Sequence, residues 1–299
     1  MRSKKVIVVF LLSICFIFVT TSTIIAESDR AFKKRYKKSS SNYKSALIIG
    51  NSNYRVSPLK NPANDATDIA GTLRSVDFNV VLLVDADRRE MGQAIRSFGK
   101  RLMSKKGIGL FFFAGHGMQV GGKNYLIPVS SNIQSEDEVE YNAIDAGQVL
   151  RKMESANNLL NLVFLDACRN NPFASSFRSG NRGLAKMDAP KGSLIVYATD
   201  AGKVAADGAG RNGIFTKHLL LNMLTPGQDL ESMLRSIRRG VLDDTNGKQT
   251  PWSESSLLSS FSFVGGTAPP PVSPQPRRKR PTLDDDTIEG RLKKAIDDW

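Results

Sequence analysis

The chain has 299 residues, enough for one large domain or two small ones, and its 40% hydrophobic and 24% charged content fits a globular protein. Its formal charge of +13 is concentrated toward the N-terminus: residues 27–44 carry +5, whereas residues 45–263 carry only +4. No basic stripe interleaved with aromatics accompanies this charge, which argues against a nucleic-acid partner.

Arg2, Lys4 and Lys5 precede an apolar run from Val6 to about Val19, and Ala26 offers a small residue for cleavage. Residues 1–26 therefore read as a signal peptide, with a retained membrane anchor as the alternative because apolar character continues through Ile24 and Ile25. Either reading puts the protein outside the cytoplasm: periplasmic or extracellular if the leader is removed, membrane-anchored if it stays. Residues 27–44 are a basic, polar linker suited to an anionic membrane surface or to a plain flexible tether. Once the leader and its Cys15 are gone, Cys168 is the one remaining cysteine, so no internal disulfide can form.

The folded body is expected over residues 45–264. Ser45–Gly50 reads as a strand, followed by a helix with Asn61 as N-cap and Pro62 at its first position. A strand at Phe78–Asp85, a helix at Arg88–Met103 and a buried strand at Ile108–Phe113 come next. Gln119–Pro128 carries Gly-Gly between two short extended pieces, a hairpin signal. A helix at Asp145–Met153 leads to strands at Leu160–Leu165 and Ser193–Thr199. Helices at Phe215–Met223 and Leu230–Val241 and a last strand at Leu257–Val264 complete the body. This alternation predicts an α/β fold, a mostly parallel sheet of about six strands between helix layers. Residues 265–283 form a Pro-rich basic linker, and residues 284–299 read as a short terminal helix.

Chemistry gathers at the carboxyl ends of strands in such sheets. His116 follows one apolar run, GLFFFAGHG, and Cys168 ends another, LLNLVFLDAC. A thiol and an imidazole sharing a solvent-open notch are the parts of a cysteine nucleophile with its base. Gly115 and Gly117 leave room for substrate backbone, and the Gly117 amide is free to stabilise an oxyanion. The bland alternative is a buried cysteine beside an incidental GHG turn.

The ordered set FFFAGHG, GKNYLIP, VFLDACRNNPF and YATDAGKVAADGAGRNGIFT, preceded by ALIIGNSNY and LKNPANDATDIAGTL, resembles the caspase–metacaspase superfamily, and its bacterial members most. The resemblance runs from about Ala46 to Val264. It implies a caspase-like α/β/α fold, His116 as general acid/base, Cys168 as nucleophile forming a thioester, and an oxyanion hole from the amides of Gly117 and Cys168. It also implies an acidic pocket at Asp65, characteristic of members that cut after Arg or Lys. Asp166, two residues before the thiol, is the second carboxylate able to hold a guanidinium. The alternatives are helix capping for Asp65 and a structural role for Asp166. The metacaspase pattern has Ser two before the histidine, where this chain has Ala114.

Asp200 and Asp207 flank a Gly-rich loop and border either the substrate groove or a simple turn. Arg169–Gly192, with Arg178, Arg182, Lys186 and Lys191, is an expected self-cleavage region. Ser135–Glu140, SEDEVE, is read as a solvated loop, with Ca2+ binding as the alternative; it lacks the ligand spacing of an EF-hand, and no other cofactor or metal is expected. His218 is expected at a surface or boundary, and Trp252 either near the groove or in the core. The expected partner is a protein or peptide substrate, and the expected state a monomer. The competing reading is an envelope-associated binding or regulatory protein on the same fold, without catalysis.

Overall fold

The computed structural model describes residues 43–168, 184–200 and 210–267. The leader, the basic linker up to Asn42, most of the expected self-cleavage region, Asp207 and the C-terminal tail lie outside the described residues.

Among the described residues, one sheet runs in the order β2-β1-β3-β6-β7-β8. Its strands are β1 (Lys44–Gly50), β2 (Phe78–Val84), β3 (Ile108–Val120), β6 (Leu160–Cys168), β7 (Ser193–Tyr197) and β8 (Trp252–Ser255). The first five are parallel, and β8 closes the edge antiparallel to β7. Parallel neighbours need crossovers, and the helices supply them on both faces. Helices α1 (Pro62–Ser75), α5 (Ile214–Met223) and α6 (Leu230–Asp244) pack on one side, where Ala46, Ile48, Leu110, Phe112, Leu162 and Phe164 point. Helices α2 (Arg88–Lys105) and α4 (Ala146–Ser155) cover Leu47, Ile49, Phe111, Phe113, Val163 and Leu165 on the other. Successive residues of each strand thus serve opposite cores, which explains the uninterrupted apolar runs. The expected α/β sandwich is the fold observed.

A second, small sheet grows from the far end of β3. There β3 pairs antiparallel with β4 (Lys123–Leu126), which pairs with the two-residue β5 (Ile144–Asp145). The hairpin turn is Gly121-Gly122, both at positive φ (54° and 77°), as a two-residue turn matching strand twist requires.

The structure departs from the sequence expectations in several places. The third strand does not stop at Phe113; it continues through His116 to Val120 because β4 and β6 both offer it partners. Asn61 occupies the position before α1, but it has helical φ/ψ and makes no side-chain cap. The Ala63 amide is instead accepted by Ser52 Oγ at 2.9 Å. The last strand is Trp252–Ser255, not Leu257–Val264. The latter segment is irregular, and its Phe263 packs against Phe78 with ring centres 6.1 Å apart. SEDEVE is a short helical turn rather than an open loop: Glu136–Glu138 is 3-10 and leads into α3 (Val139–Asn142), with Val139 buried. No described helix is long and apolar enough to cross a membrane.

Candidate active site

The register of β3 and β6 brings the two expected reactive positions together. Across this parallel pair, Ala114 faces Asp166, Gly115 faces Ala167, and His116 faces Cys168. Adjacent strands lie about 4.8 Å apart, so the backbones carrying the imidazole and the thiol are immediate neighbours. The Cys168 side chain lies outside the described structure.

His116 is buried, 1% exposed, not open to solvent as expected from its GHG setting. The loop after β1 covers it. Its Nε2 lies 2.7 Å from the Ser57 carbonyl oxygen. Ser57 has a left-handed backbone, φ 54°. A carbonyl oxygen has no proton to give, so Nε2 of the neutral ring carries the hydrogen and Nδ1 is the nitrogen left to accept one. Tyr54 packs against the imidazole at 4.4 Å between ring centres, and its hydroxyl accepts a hydrogen bond from the His116 amide at 2.9 Å.

Gly117 has a packing reason to lack a side chain, in addition to the room it was expected to leave for substrate. A Cβ there would stand 2.9 Å from Ala167 Cβ and 3.1 Å from Leu184 Cδ2. Gly117→Ala should therefore cost about 1–3 kcal/mol of stability by overpacking, seen as a lowered melting temperature even in a Cys168→Ala background.

Asp65 and Asp166 also come together, although they are far apart in the sequence. Asp65 is in the first turn of α1 and is 3% exposed; Asp166 is 8% exposed, two residues before the end of β6. A Cβ built on Gly213 would lie 3.2 Å from Asp65 Oδ2 and 3.5 Å from Asp166 Oδ2. Gly213 precedes α5, and its amide donates to Asp65 Oδ1 at 3.0 Å. Thr216, in the first turn of α5 and fully buried, donates its hydroxyl to Asp166 Oδ2 at 2.6 Å. The positive end of α5 thus faces two carboxylates. Thr216 was not evident from the sequence, because it reads as one of three consecutive polar residues, Thr216 to His218, in the segment IFTKHLLL. Its hydroxyl serves Asp166 on a strand where Ala114 faces that carboxylate across the register.

The segment before α5 is fastened to α1. Arg211 forms two 2.9 Å hydrogen bonds with the Asp68 carboxylate, Asn212 Nδ2 donates to Asp68 Oδ2 at 2.9 Å, and Asn64 Nδ2 donates to the Arg211 carbonyl at 3.2 Å. The Arg211 guanidinium holds the Asp68 carboxyl below the usual carboxylate range. A depressed folded-state pKa contributes stability that is present above the unfolded value, about 4, and lost as pH falls through the lowered folded value. The melting-temperature difference between the protein and Asp68→Asn should be constant above about pH 5 and shrink as pH is taken below 4. Its size should be modest, since Arg211 is largely exposed.

Asp200 stands at the same end of the sheet, three residues past β7, and is partly exposed. It is not among the atoms nearest Gly213. His218 is a boundary residue as expected: it lies on α5 against Gly240, with Nε2 2.8 Å from Asp244 Oδ2. Trp252 stacks on Tyr197 at 5.4 Å and takes Lys186 over its ring, so it packs against the sheet edge. No group of three or more His, Cys, Asp or Glu residues suited to a metal ion occurs among the described residues.

Part of the expected self-cleavage region is tied down. The Ala185 amide donates to Asn124 Oδ1 at 2.6 Å, and its carbonyl accepts from Asn124 Nδ2 at 2.8 Å. Met187 N–H donates to the Tyr197 hydroxyl at 3.0 Å, and Lys186 pairs with Glu254 at 2.9 Å. A peptide bond held this way cannot enter a cleft as an extended strand. Mass spectrometry of active protein should show no fragment ending at Lys186.

Comparison with known proteins agrees with this architecture. The caspase-domain profile of peptidase family C14 matches residues 43–262. Human mucosa-associated lymphoid tissue lymphoma translocation protein 1 is 32% identical over 221 residues, which are 72% of this chain and 26% of that protein. The mouse homolog of that protein is 36% identical over 128 residues, covering 42% of this chain and 15% of its own length. The chain thus spans about a quarter or less of the curated relatives it matches. With a family match over most of its length, a mostly parallel caspase-like sheet, and both motifs in register across adjoining strands, the chain belongs to the caspase-domain family of C14 peptidases.

Proposed function

We propose that this protein is a cysteine endopeptidase that hydrolyses peptide bonds after Arg or Lys. The observation that carries the reading is the pairing of His116 with Cys168 across β3 and β6, beside two buried carboxylates. Cys168 sulfur attacks the substrate carbonyl carbon, and His116 accepts the thiol proton at Nδ1, because Nε2 is committed to the Ser57 carbonyl. The developing oxyanion is assigned to the amides of Gly117 and Cys168. Collapse of the tetrahedral species breaks the C–N bond. The proton passes from His116 to the leaving amine, and a thioester remains on Cys168. Water, deprotonated by the same imidazole, then releases the acid and restores the thiol.

Asp65 and Asp166 give the pocket its charge preference. A guanidinium or ammonium entering beside Gly213 meets two carboxylates, and an aspartate side chain there is repelled. Asp200 contributes to the rim. Export is part of the proposal and rests on the basic-then-apolar leader, Arg2 to Val19.

Fluorogenic peptides ending in Arg, Lys or Asp test the reading directly. Arg and Lys substrates should turn over and the Asp substrate should not. Preferential cleavage after Asp would reverse the specificity claim, and inertness towards all three, with no labelling by an electrophilic peptide probe, would favour a binding protein on this fold.

A further inference from the structure

We infer that Tyr54 is a positioning residue for the His116 base, acting as a hydroxyl wedge in the strand that carries it. The inference rests on the peptidase reading above.

In an antiparallel ladder, residues facing each other in a hydrogen-bonded pair exchange two N–H to O=C bonds. Gly117 faces Leu126, so the next rung back joins His116 with Ile127. One half of it is made: the Ile127 amide donates to the His116 carbonyl at 3.0 Å. The other half is opened. The His116 amide donates to Tyr54 Oη at 2.9 Å, and Tyr54 Oη donates to the Ile127 carbonyl at 2.9 Å. A phenol oxygen thus stands between two backbone groups that would otherwise meet directly.

Further contacts make this a built feature. Asn51 Nδ2 donates to the same Ile127 carbonyl at 3.1 Å, and the Asn51 amide donates to the Ala114 carbonyl at 2.9 Å. Gly115, immediately before His116, has φ of 152°, and a Cβ there would lie 2.6 Å from Tyr54 Oη. Any side chain at 115 would collide with the phenol. The Tyr54 ring lies against the imidazole at 53°, and Tyr54 is itself buried.

The wedge lies where β3 leaves the large sheet for the hairpin. It sets the height and tilt of the His116 backbone relative to Cys168, while the phenol ring backs the imidazole whose Nε2 is held by Ser57. Backbone and ring are thereby fixed by the same loop, residues 51–57. Removing the hydroxyl leaves the His116 amide and the Ile127 carbonyl to close on each other or go unsatisfied; either shifts the base. The thiolate–imidazolium pair is then less favoured, and the apparent pKa of the Cys168 thiol rises.

The test compares the full chain with Tyr54→Phe, which keeps the ring. Iodoacetamide inactivation is followed against pH, with adducts at Cys168 read by peptide mass, alongside kcat and KM on an Arg peptide. Tyr54→Phe should raise the midpoint of the alkylation profile by at least about half a pH unit and lower kcat about 10- to 100-fold, with KM within about twofold. Tyr197→Phe, which loses another buried hydroxyl partner, should leave the alkylation midpoint in place. A wild-type midpoint and kcat in Tyr54→Phe overturn the inference alone. A native Cys168 that alkylates no faster than free cysteine at any pH overturns the peptidase reading and the inference with it. Should Tyr54→Phe fail to fold, amide hydrogen exchange on the native chain decides: the His116 amide should be strongly protected, and exchange at an open-chain rate would refute the wedge.

Discussion

Replacing Cys168 with Ala is expected to abolish hydrolysis, and replacing His116 with Ala to reduce it nearly as far. In the proposed mechanism the covalent intermediate forms on the Cys168 sulfur, and an alanine methyl cannot carry it. The loss should be about 10⁴-fold or more in kcat for Cys168→Ala, since residues acting as one unit fail together. His116→Ala should cost about 10²- to 10⁴-fold, the usual range for a positioned proton carrier. The double variant should be little worse than Cys168→Ala alone. Active-site titration with a covalent peptide inhibitor separates the two effects: Cys168→Ala takes up none, and His116→Ala takes it up slowly. Substantial turnover by purified Cys168→Ala protein would remove the mechanism proposed here. Both variants should keep the fold, because the register pairing of these positions is made by backbone.

The second large effect concerns charge selectivity. Asp65→Asn and Asp166→Asn each remove a negative charge while keeping an oxygen for the Gly213 amide or the Thr216 hydroxyl. Hydrogen bonds to charged groups contribute about 1.5–3 kcal/mol each, and about 1.4 kcal/mol is a factor of ten. Each variant should therefore lose roughly 10- to 100-fold in kcat/KM on Arg peptides, and the double variant about 10³-fold or more. Reactivity of Cys168 with iodoacetamide should change far less, because that small reagent needs no cation pocket. The decisive comparison is the ratio of Arg to neutral-residue substrates. An unchanged ratio in the double variant would leave the two carboxylates with a purely structural task at the start of α5. Gly213→Ala gives an independent check by steric means, placing a methyl 3.2 Å from Asp65 Oδ2 with both charges kept.

The sequence carried the positions of these groups better than their connections. Apolar runs with both faces buried marked the sheet, and the His and Cys motifs marked the two positions that meet. The continuation of β3 past His116 was hidden because Gly-His-Gly has turn composition, and only pairing with β4 and β6 makes it extended. The expected last strand, Leu257–Val264, is irregular chain in which Phe261 and Phe263 pack edge to face, while the polar WSES segment takes the sheet edge. Asn61 carried a capping signature, but Ser52, eleven residues from Ala63, does the capping. Tyr54 sits in the aperiodic stretch NSNYRV, and neither periodicity nor charge marks it. Arg211 and Asp68 are 143 residues apart, a separation at which side-chain pairing leaves no trace in a single sequence.

The chain order of the parts has a consequence for the sequence in which the site is completed. His116 and Cys168 sit on neighbouring strands that can associate once about the first 170 residues have emerged, but the groups that hold Asp65 and Asp166 arrive with Gly213 and Thr216. A chain folded without that helix start would hold the proposed nucleophile and base but lack the groups that position the two carboxylates. In the proposed mechanism, selectivity for a basic side chain is therefore completed only when the segment carrying Gly213 and Thr216 joins the fold, after the strands that bear the reactive pair.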